Sequence, residues 1–359
     1  MKKRTTYGIF ATIIMAIFIL DTNTMLYGAQ EGIWLCLQTI IPALFPFIIL
    51  SGMIGSALLG QHIKMLRPIS RLCHIPDGTE SLLFLGFLSG YPVGAQIITQ
   101  AYFDGSISKS TAKRMLGFCN NAGPSFLFGM FSVIFSRKII LWVLWGIHIL
   151  SALTVGFIFP GNSEERYHIL RSDPISLPTA LKKAIQTIFL ICGWVIIFRI
   201  IICVLNKWLL WSLPNDIQVI LSGILELSNG CISLSKIPSE ATRFIFASGI
   251  LSFGGLCVGM QTKSVTRELG CGYYFLGKVL QTIISILFSV TLLPLIFENK
   301  SIITYWPIIS VLICSLGIII YLIHRKKLWH LQEECCIIPV KTGRKEQLYA
   351  VSKGNAPIL

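Results

Sequence analysis

Charged side chains are scarce in this sequence. They make up 13% of the 359 residues, whereas hydrophobic residues make up 54%. A soluble chain carries about 25% charged residues. The shortage excludes an ordinary soluble enzyme, a disordered chain and a small secreted disulfide scaffold, because too little polar surface is available to face water. The composition predicts a polytopic membrane protein whose main partner is the lipid bilayer.

Motifs of known chemistry are also missing. The chain has no Walker A, H-E-x-x-H, G-x-S-x-G or Rossmann glycine pattern, and none of its eleven cysteines forms C-x-x-C. We therefore expect no enzymatic activity, no cofactor, no metal site and no disulfide framework. His148 stands alone in an apolar stretch and is predicted to be a packed or interfacial side chain rather than a ligand.

Positive charge is in excess, with 30 Lys and Arg against 16 Asp and Glu. No zinc-finger, RNP or basic-helix pattern accompanies it, so no nucleic-acid partner is expected. In a membrane protein the excess is typical of cytoplasmic loops.

Ten hydrophobic elements follow one another, each near the length of a membrane-crossing helix, which predicts an all-α membrane bundle. The first could be a signal peptide, but apolar character resumes soon after Asp21, which favours a retained membrane helix. The elements are approximately 7–20, 33–59, 82–103, 115–136, 139–159, 184–205, 215–235, 243–262, 274–297 and 302–323.

The predicted organisation has five parts. They are an N-terminal membrane helix with an external loop (1–32), a first repeat (33–160), a polar linker (161–183), a second repeat (184–323) and a basic cytoplasmic tail (324–359).

Short strings recur in the two halves in the same order. For example, Val93-Gly-Ala-Gln96 matches Val258-Gly-Met-Gln261, which lies 165 residues later in the chain. The separation between matching residues decreases along the chain, from 171 to 165 to 160 residues. A duplicated unit with small loop deletions would give this order. Internal repeats are a hallmark of secondary transporters.

The third and eighth elements contain clustered glycines, and the third also contains Pro92, so both are predicted to be broken or re-entrant helices. The alternative is close helix packing through small residues. With two re-entrant elements, 24 Lys and Arg lie on the cytoplasmic side and 4 outside, whereas ten full crossings give 18 and 10. The positive-inside rule favours eight crossings, parallel repeats and both termini in the cytoplasm; ten crossings would make the repeats inverted.

Uncharged polar residues at membrane depth form the candidate substrate site, because they are costly there unless they bind something. The alternative role is interhelical hydrogen bonding that fixes packing. A transport site predicts that Ser89, Asn120 and Asn121 face a shared cavity. The candidates are Ser89, Gly90, Tyr91, Pro92, Gln96, Asn120, Asn121, Ser125, Asn229, Ser252 and Gln261.

Four charged residues complete the candidate site. Arg114, Arg199 and Lys278 could neutralise a carboxylate, although Arg199 and Lys278 could instead extend to the membrane interface. Glu226 could relay a proton or cation, or pair with Arg199 or Lys278.

Several strings resemble the sporulation integral membrane protein family typified by YlbJ, which belongs with the nucleoside-recognition, or Gate, proteins. The resemblance spans roughly residues 33 to 297. It is carried by Ile40-Ile-Pro-Ala-Leu-Phe-Pro-Phe47, Gly86-Phe-Leu-Ser-Gly-Tyr-Pro-Val-Gly-Ala95, Phe118-Cys-Asn-Asn-Ala-Gly-Pro-Ser-Phe126 and the strings at 225–231 and 251–261.

The resemblance implies a protein of the outer forespore membrane that imports dipicolinic acid, a small pyridine dicarboxylate, during sporulation. Two alternatives stay open: a nucleoside or ion permease, and a non-transporting membrane scaffold for cortex or coat assembly. A homo-oligomer is compatible with each of these.

Overall fold

A computed structural model describes residues 2–58, 61, 63–159, 161 and 174–297, and these are helical with no strand among them. The tenth hydrophobic element, the basic tail and most of the polar linker lie outside the described residues. The helices are α1 (Lys2–Leu20), α2 (Thr22–Leu35), α3 (Ile41–Leu58), α4 (Arg67–Leu72), α5 (Glu80–Leu88), α6 (Val93–Phe103), α7 (Lys109–Leu116), α8 (Pro124–Phe131), α9 (Lys138–Ile158), α10 (Leu177–Trp208), α11 (Asn215–Leu225), α12 (Leu227–Ser233), α13 (Glu240–Phe253), α14 (Gly255–Thr266) and α15 (Gly272–Phe297).

Within the described ranges, five helical segments are long and apolar enough to cross a bilayer. This supports the prediction of an all-α membrane protein, and the 30-residue segment that contains α13 and α14 is the most buried of the five. The segments are Thr22–Leu58, Lys138–Ile158, Leu177–Trp208, Glu240–Leu269 and Gly272–Phe297.

Residues 22–32, which the sequence assigned to an external loop, are helical: α2 begins at Thr22 and runs through a π-helical turn into α3. Helix α10 packs along both. A Cβ at Gly28 or Gly32 would lie 2.9 Å from the Cα atom of Ile200 or Ile196, so the G-x-x-x-G spacing permits close contact of the two backbones.

An ion pair between α10 and the residue before α2 lies at one end of the contact between these two helices. Lys207 donates to both carboxylate oxygens of Asp21 at 2.8 and 2.9 Å. These bonds hold the pKa of Asp21 at about 2.

Among the nine hydrophobic elements that the structure describes, four are broken rather than two. The predicted breaks in the third and eighth elements are confirmed, at 89–92 between α5 and α6 and at Gly254 between α13 and α14. The fourth element is also interrupted, by 117–123 between α7 and α8, and the seventh is interrupted at Glu226, whose backbone is extended between α11 and α12.

Two of the broken elements fold back on themselves. In the third, α5 packs on α6, and Gly86 and Gly94 on either side of the break face the same carbonyl, that of Cys119. In the seventh, a Cβ on Gly230 of α12 would lie 2.3 Å from the Cα atom of Gly223 on α11. The sequence predicted the eighth element as the second folded-back one, which is wrong: α13 and α14 run on as one bent segment.

The four breaks meet in the interior. Gly90 in the first break packs on Gly123, and Tyr91 packs on Gly254 in the last. Gly255 packs on the backbone of 226–227 in the third. Helices α9, α13 and α15 pack together beside this meeting point, and α3 and α10 also contact the broken elements. The fold therefore brings broken backbone from both halves of the chain to one place.

Candidate functional site

The segment 117–123 lies against glycines on three helices. A Cβ at Gly86 would lie 2.0 Å from the carbonyl oxygen of Cys119, and one at Gly277 would lie 2.1 Å from that of Gly117. Real Cβ contacts of this length do not occur, so only glycine permits the non-helical backbone to pass so close. The segment thereby places Asn120 and Asn121 in the fully buried interior.

Lys278 is the central charge of the site. It is fully buried on α15, and its Nζ donates to Asn121 Oδ1 at 2.9 Å and to Gln281 Oε1 at 2.8 Å. Nζ also lies 5.1 Å from the ring centroid of Tyr91 and 5.9 Å from that of Tyr274. In the described part of the chain no carboxylate is within ion-pair distance of this ammonium. Its partners there are neutral.

His148 on α9 extends the network from Lys278. Its Nε2 accepts the N–H of Ala122 at 3.2 Å, which requires this ring nitrogen to be unprotonated and makes the imidazole neutral. Nδ1 lies 3.4 Å from Ser252 Oγ on α13, and Gln281 Nε2 donates to the His148 carbonyl at 3.1 Å. The network joins α9, α13, α15 and the 117–123 segment.

Asn120 makes different hydrogen bonds from its neighbour Asn121. Its Oδ1 accepts the N–H of Ala95 at the start of α6, at 3.2 Å, and its Nδ2 donates to Thr262 of α14 at 3.0 Å. Asn120 therefore joins the first folded-back pair to the last broken element, whereas Asn121 binds the cation.

A cavity of about 30 Å³ lies at the meeting point of the breaks. This is room for one or two water molecules. Among the predicted site residues it is lined by Tyr91, Glu226 and Gln261, together with the backbone of 122–123 and apolar side chains of α3 and α10. Ser89, Asn120 and Asn121 are buried and do not line it. The expectation that they face a shared cavity is therefore not met.

Tyr91 lies next to both the cavity and Lys278. Its side chain lines the cavity, its ring centroid lies 5.1 Å from Nζ, and its hydroxyl has no hydrogen-bond partner among the described residues. The Ser89 hydroxyl is likewise buried without a partner there.

Glu226 is 2% exposed and caps α12. Its carboxylate accepts the N–H groups of Ser228 at 2.9 Å and of Asn229 at 2.7 Å, and also Asn229 Nδ2 at 2.6 Å. Arg199 donates to Asn229 Oδ1 and, at 3.3 Å, to Glu31 of α2. The predicted pairing of Glu226 with Arg199 is thus indirect, through the Asn229 amide. Glu226 makes no ion pair with Lys278.

Three predicted site residues lie elsewhere. Arg114 donates to the Cys73 carbonyl at 2.6 Å and also to that of His74, so it fixes the end of α4. Gln96 donates to Thr187 of α10 at 3.2 Å, and Ser125 is half-buried on the first turn of α8. None of the three lines the cavity.

Sequence reasoning missed His148, Gln281, Thr262 and Tyr274. The prediction that His148 is packed holds, since it is 1% exposed, but it packs within the polar network. One available signal was the Lys278-x-x-Gln281 spacing, which places both side chains on one face of a long, mainly apolar helix.

Comparison with known proteins gives one relevant relative. The chain is 25% identical over 335 residues to the sporulation integral membrane protein YlbJ of Bacillus subtilis (strain 168), an alignment that covers 79% of this chain and 81% of that protein. No protein-family model and no solved structure matches the chain. Together with the apolar helices, the similarity identifies an integral membrane protein and supports membership of this chain in the YlbJ family of sporulation membrane proteins.

Proposed function

We propose that this chain is a membrane transporter for a small organic anion, and that the anion is dipicolinate, imported across the outer forespore membrane during sporulation. One observation carries the proposal: the buried Lys278 amino group, which we propose to be protonated, has only neutral hydrogen-bonding partners among the described residues. A charge held in the interior without a counter-charge is expensive and is usually functional.

An anionic substrate would supply the missing negative charge. Tyr91 lines the cavity and its ring lies beside Nζ, so a displacement of that ring would give a carboxylate access to the ammonium. Two helices begin at the cavity, α8 after Gly123 and α6 after Pro92. Their N-terminal N–H groups and the positive ends of their dipoles favour an anion.

The cavity is too small for a pyridine dicarboxylate, so the described conformation is closed to it. Transport then requires that the broken elements move apart, as in alternating access between repeats. The order of elements supports a pair of repeats. Residues 41–158 contain, in order, a long helix, a folded-back pair, a bent or interrupted element and a second long helix, and residues 177–297 contain the same four elements in the same order. These segments are the two repeats that we propose.

Each proposed repeat crosses the membrane three times, so the second would begin on the opposite side and the repeats would be inverted. With α1 and the tenth hydrophobic element added, the chain has eight crossings and both termini in the cytoplasm. This arrangement puts 22 Lys and Arg inside and 6 outside, in agreement with the positive-inside rule. We therefore propose inverted repeats instead of the parallel arrangement favoured by the sequence, because the second folded-back element is the seventh.

The similarity to a sporulation integral membrane protein supports a role in spore formation. The substrate and the membrane come from the family resemblance, which implies dipicolinate import toward the forespore.

Uptake of labelled dipicolinate into vesicles that contain the purified chain tests the proposal. We expect uptake above empty vesicles in the wild type, and loss of uptake in Asn121→Leu with membrane insertion intact, because that change removes an oxygen that orients Lys278. Asn215→Leu, at an exposed position at the start of α11, is the matched control and should transport normally.

Other results would select the alternatives. Uptake of uridine instead of dipicolinate would indicate a nucleoside permease, and absence of flux for both solutes, with or without a proton gradient, would favour a scaffold. Unchanged uptake in Asn121→Leu would remove this residue from the site.

A further inference from the structure

Glu226 is the one acidic side chain that lines the central cavity in the described part of the chain. The wall beside it is apolar and is formed by the π-helical turn before α3, by α3 itself and by α10, through Ile40, Leu44, Ile191 and Val195. No Lys, Arg or His side chain is within ion-pair distance of it among the described residues. Its carboxylate is held instead by three N–H donors of 228–229.

A hydrogen-bonded chain connects Glu226 to the outside of the bundle. Asn229 donates to Glu226 and accepts from Arg199, which also binds Glu31. Arg199 lines an open groove of about 580 Å³ between α2 and α10. The distance from buried carboxylate to open groove is therefore bridged by two side chains, Asn229 and Arg199.

The remaining titratable groups near Glu226 are few. Tyr91 lines the same cavity, Lys278 Nζ lies 5.1 Å from the Tyr91 ring centroid, Glu31 lies beyond Arg199, and the thiols of Cys36, Cys231 and Cys257 lie nearby. Among these groups, Glu226 is the one carboxyl group on the cavity wall.

An anion in this cavity would meet the Glu226 carboxylate at close range. Two like charges in a medium of low dielectric repel strongly, and protonation of one of them removes the repulsion. The anion thus binds best when Glu226 is protonated, and by linkage the bound anion raises the affinity of Glu226 for a proton by the same factor.

We infer that Glu226 is the proton-coupling site of the transporter: it takes up one proton when the anion binds and gives that proton up when the anion leaves on the other side. The inference rests on the proposed function. Arg199 and Asn229 act as positioning residues, because the Arg199 bond to Asn229 Oδ1 turns Nδ2 toward Glu226.

The test uses the full chain in proteoliposomes, with labelled dipicolinate outside and a pH-sensitive dye inside. Between about pH 6 and about pH 8 the carboxylates of dipicolinate are ionised, so its own titration does not interfere. For the wild type we expect an inward proton gradient to drive the accumulation of dipicolinate in the vesicles. We also expect the addition of dipicolinate to acidify the vesicle lumen. The apparent affinity for dipicolinate should fall by up to about tenfold per pH unit above the pKa of Glu226.

Glu226→Gln mimics the protonated side chain. This variant should still bind dipicolinate, but its affinity should be independent of pH and a proton gradient should no longer drive accumulation. Glu240→Gln is the matched control, since Glu240 lies at the start of α13 and pairs with Arg137 outside the cavity. It should behave as the wild type does.

The outcomes separate the two proposals. Proton-driven accumulation in Glu226→Gln equal to that of the wild type would overturn the coupling role and leave the transport function standing. No dipicolinate flux in the wild type would overturn both. If Glu226→Gln does not fold, Glu226→Asp decides: we expect coupling with a displaced pH midpoint, and an unchanged midpoint would count against Glu226.

Discussion

The residue types of Lys278 and of the neighbouring pair Asn120 and Asn121 are not sufficient to predict their roles. Asn120 joins α6 to α14, whereas Asn121 binds Lys278, although both are fully buried and stand side by side in the sequence. Extension of the Lys278 side chain to the membrane interface was a reasonable alternative from the sequence. The structure shows it in the interior, because Asn121 and Gln281 offer oxygens there.

Replacement of the buried ammonium separates its functional role from a packing role. Lys278→Met keeps most of the volume and removes the desolvated charge, so we expect thermal stability in detergent to be unchanged or higher. The affinity for dipicolinate should fall roughly 10- to 150-fold, since a hydrogen bond to a charged group contributes about 1.5–3 kcal/mol. Melting curves and binding isotherms measure the two effects.

Lys263→Met is the control for this substitution, because Lys263 is exposed on α14. It should change neither quantity. A less stable Lys278→Met protein with normal dipicolinate affinity would instead show that Lys278 only fixes packing.

At the scale of elements, the glycine clusters and Pro92 were sufficient to predict the breaks in the third and eighth elements. They were not sufficient to predict the direction of the chain after each break. The α13–α14 break at Gly254 bends the segment without reversing it, while the break at Glu226, with no proline and one nearby glycine on each side, reverses the chain. Reversal depends on the facing contact of Gly223 with Gly230, which is tertiary information.

The position of the 117–123 segment depends on the glycines that its backbone contacts. Gly277→Ala would place a Cβ 2.1 Å from the Gly117 carbonyl oxygen, so the segment must shift. We expect a loss of stability of about 1–3 kcal/mol, the usual cost of overpacking, and slower dipicolinate uptake because Asn121 moves with the segment. Chemical unfolding in detergent and vesicle uptake would measure these.

The matched control is Gly146→Ala on α9, where no atom lies within 4 Å of an added Cβ. Its effect should be neutral or slightly stabilising, since alanine is the better helix former. Equal effects of the two substitutions would show that the contact at Gly277 is not a constraint.

For the whole molecule, the sidedness of two loops distinguishes inverted from parallel repeats. In a cysteine-free background, Ser110→Cys lies just after the first folded-back pair and Ser235→Cys just after the second, both at exposed positions. Inverted repeats predict that an impermeant maleimide labels Ser235→Cys from outside in intact cells and labels Ser110→Cys only after permeabilisation. Labelling of both from the same side would support parallel repeats.

The sequence by itself determined that this protein lies in a lipid bilayer, that it is helical, and approximately where its hydrophobic elements lie. The reason is that a bilayer requires long apolar helices whatever side chains they pack against. It also indicated the family, through short strings around the breaks. Only the tertiary structure decided which broken elements fold back, that Arg114, Gln96 and Ser125 lie away from the cavity, and that His148 and Gln281 belong to the Lys278 network. The physical reason is that these outcomes depend on how the helices pack. The Lys278 network joins residues more than 100 positions apart, as in the bond from Lys278 to Asn121, and even the contact of Gly223 with Gly230 forms only when α11 and α12 face each other, so no local pattern encodes these contacts.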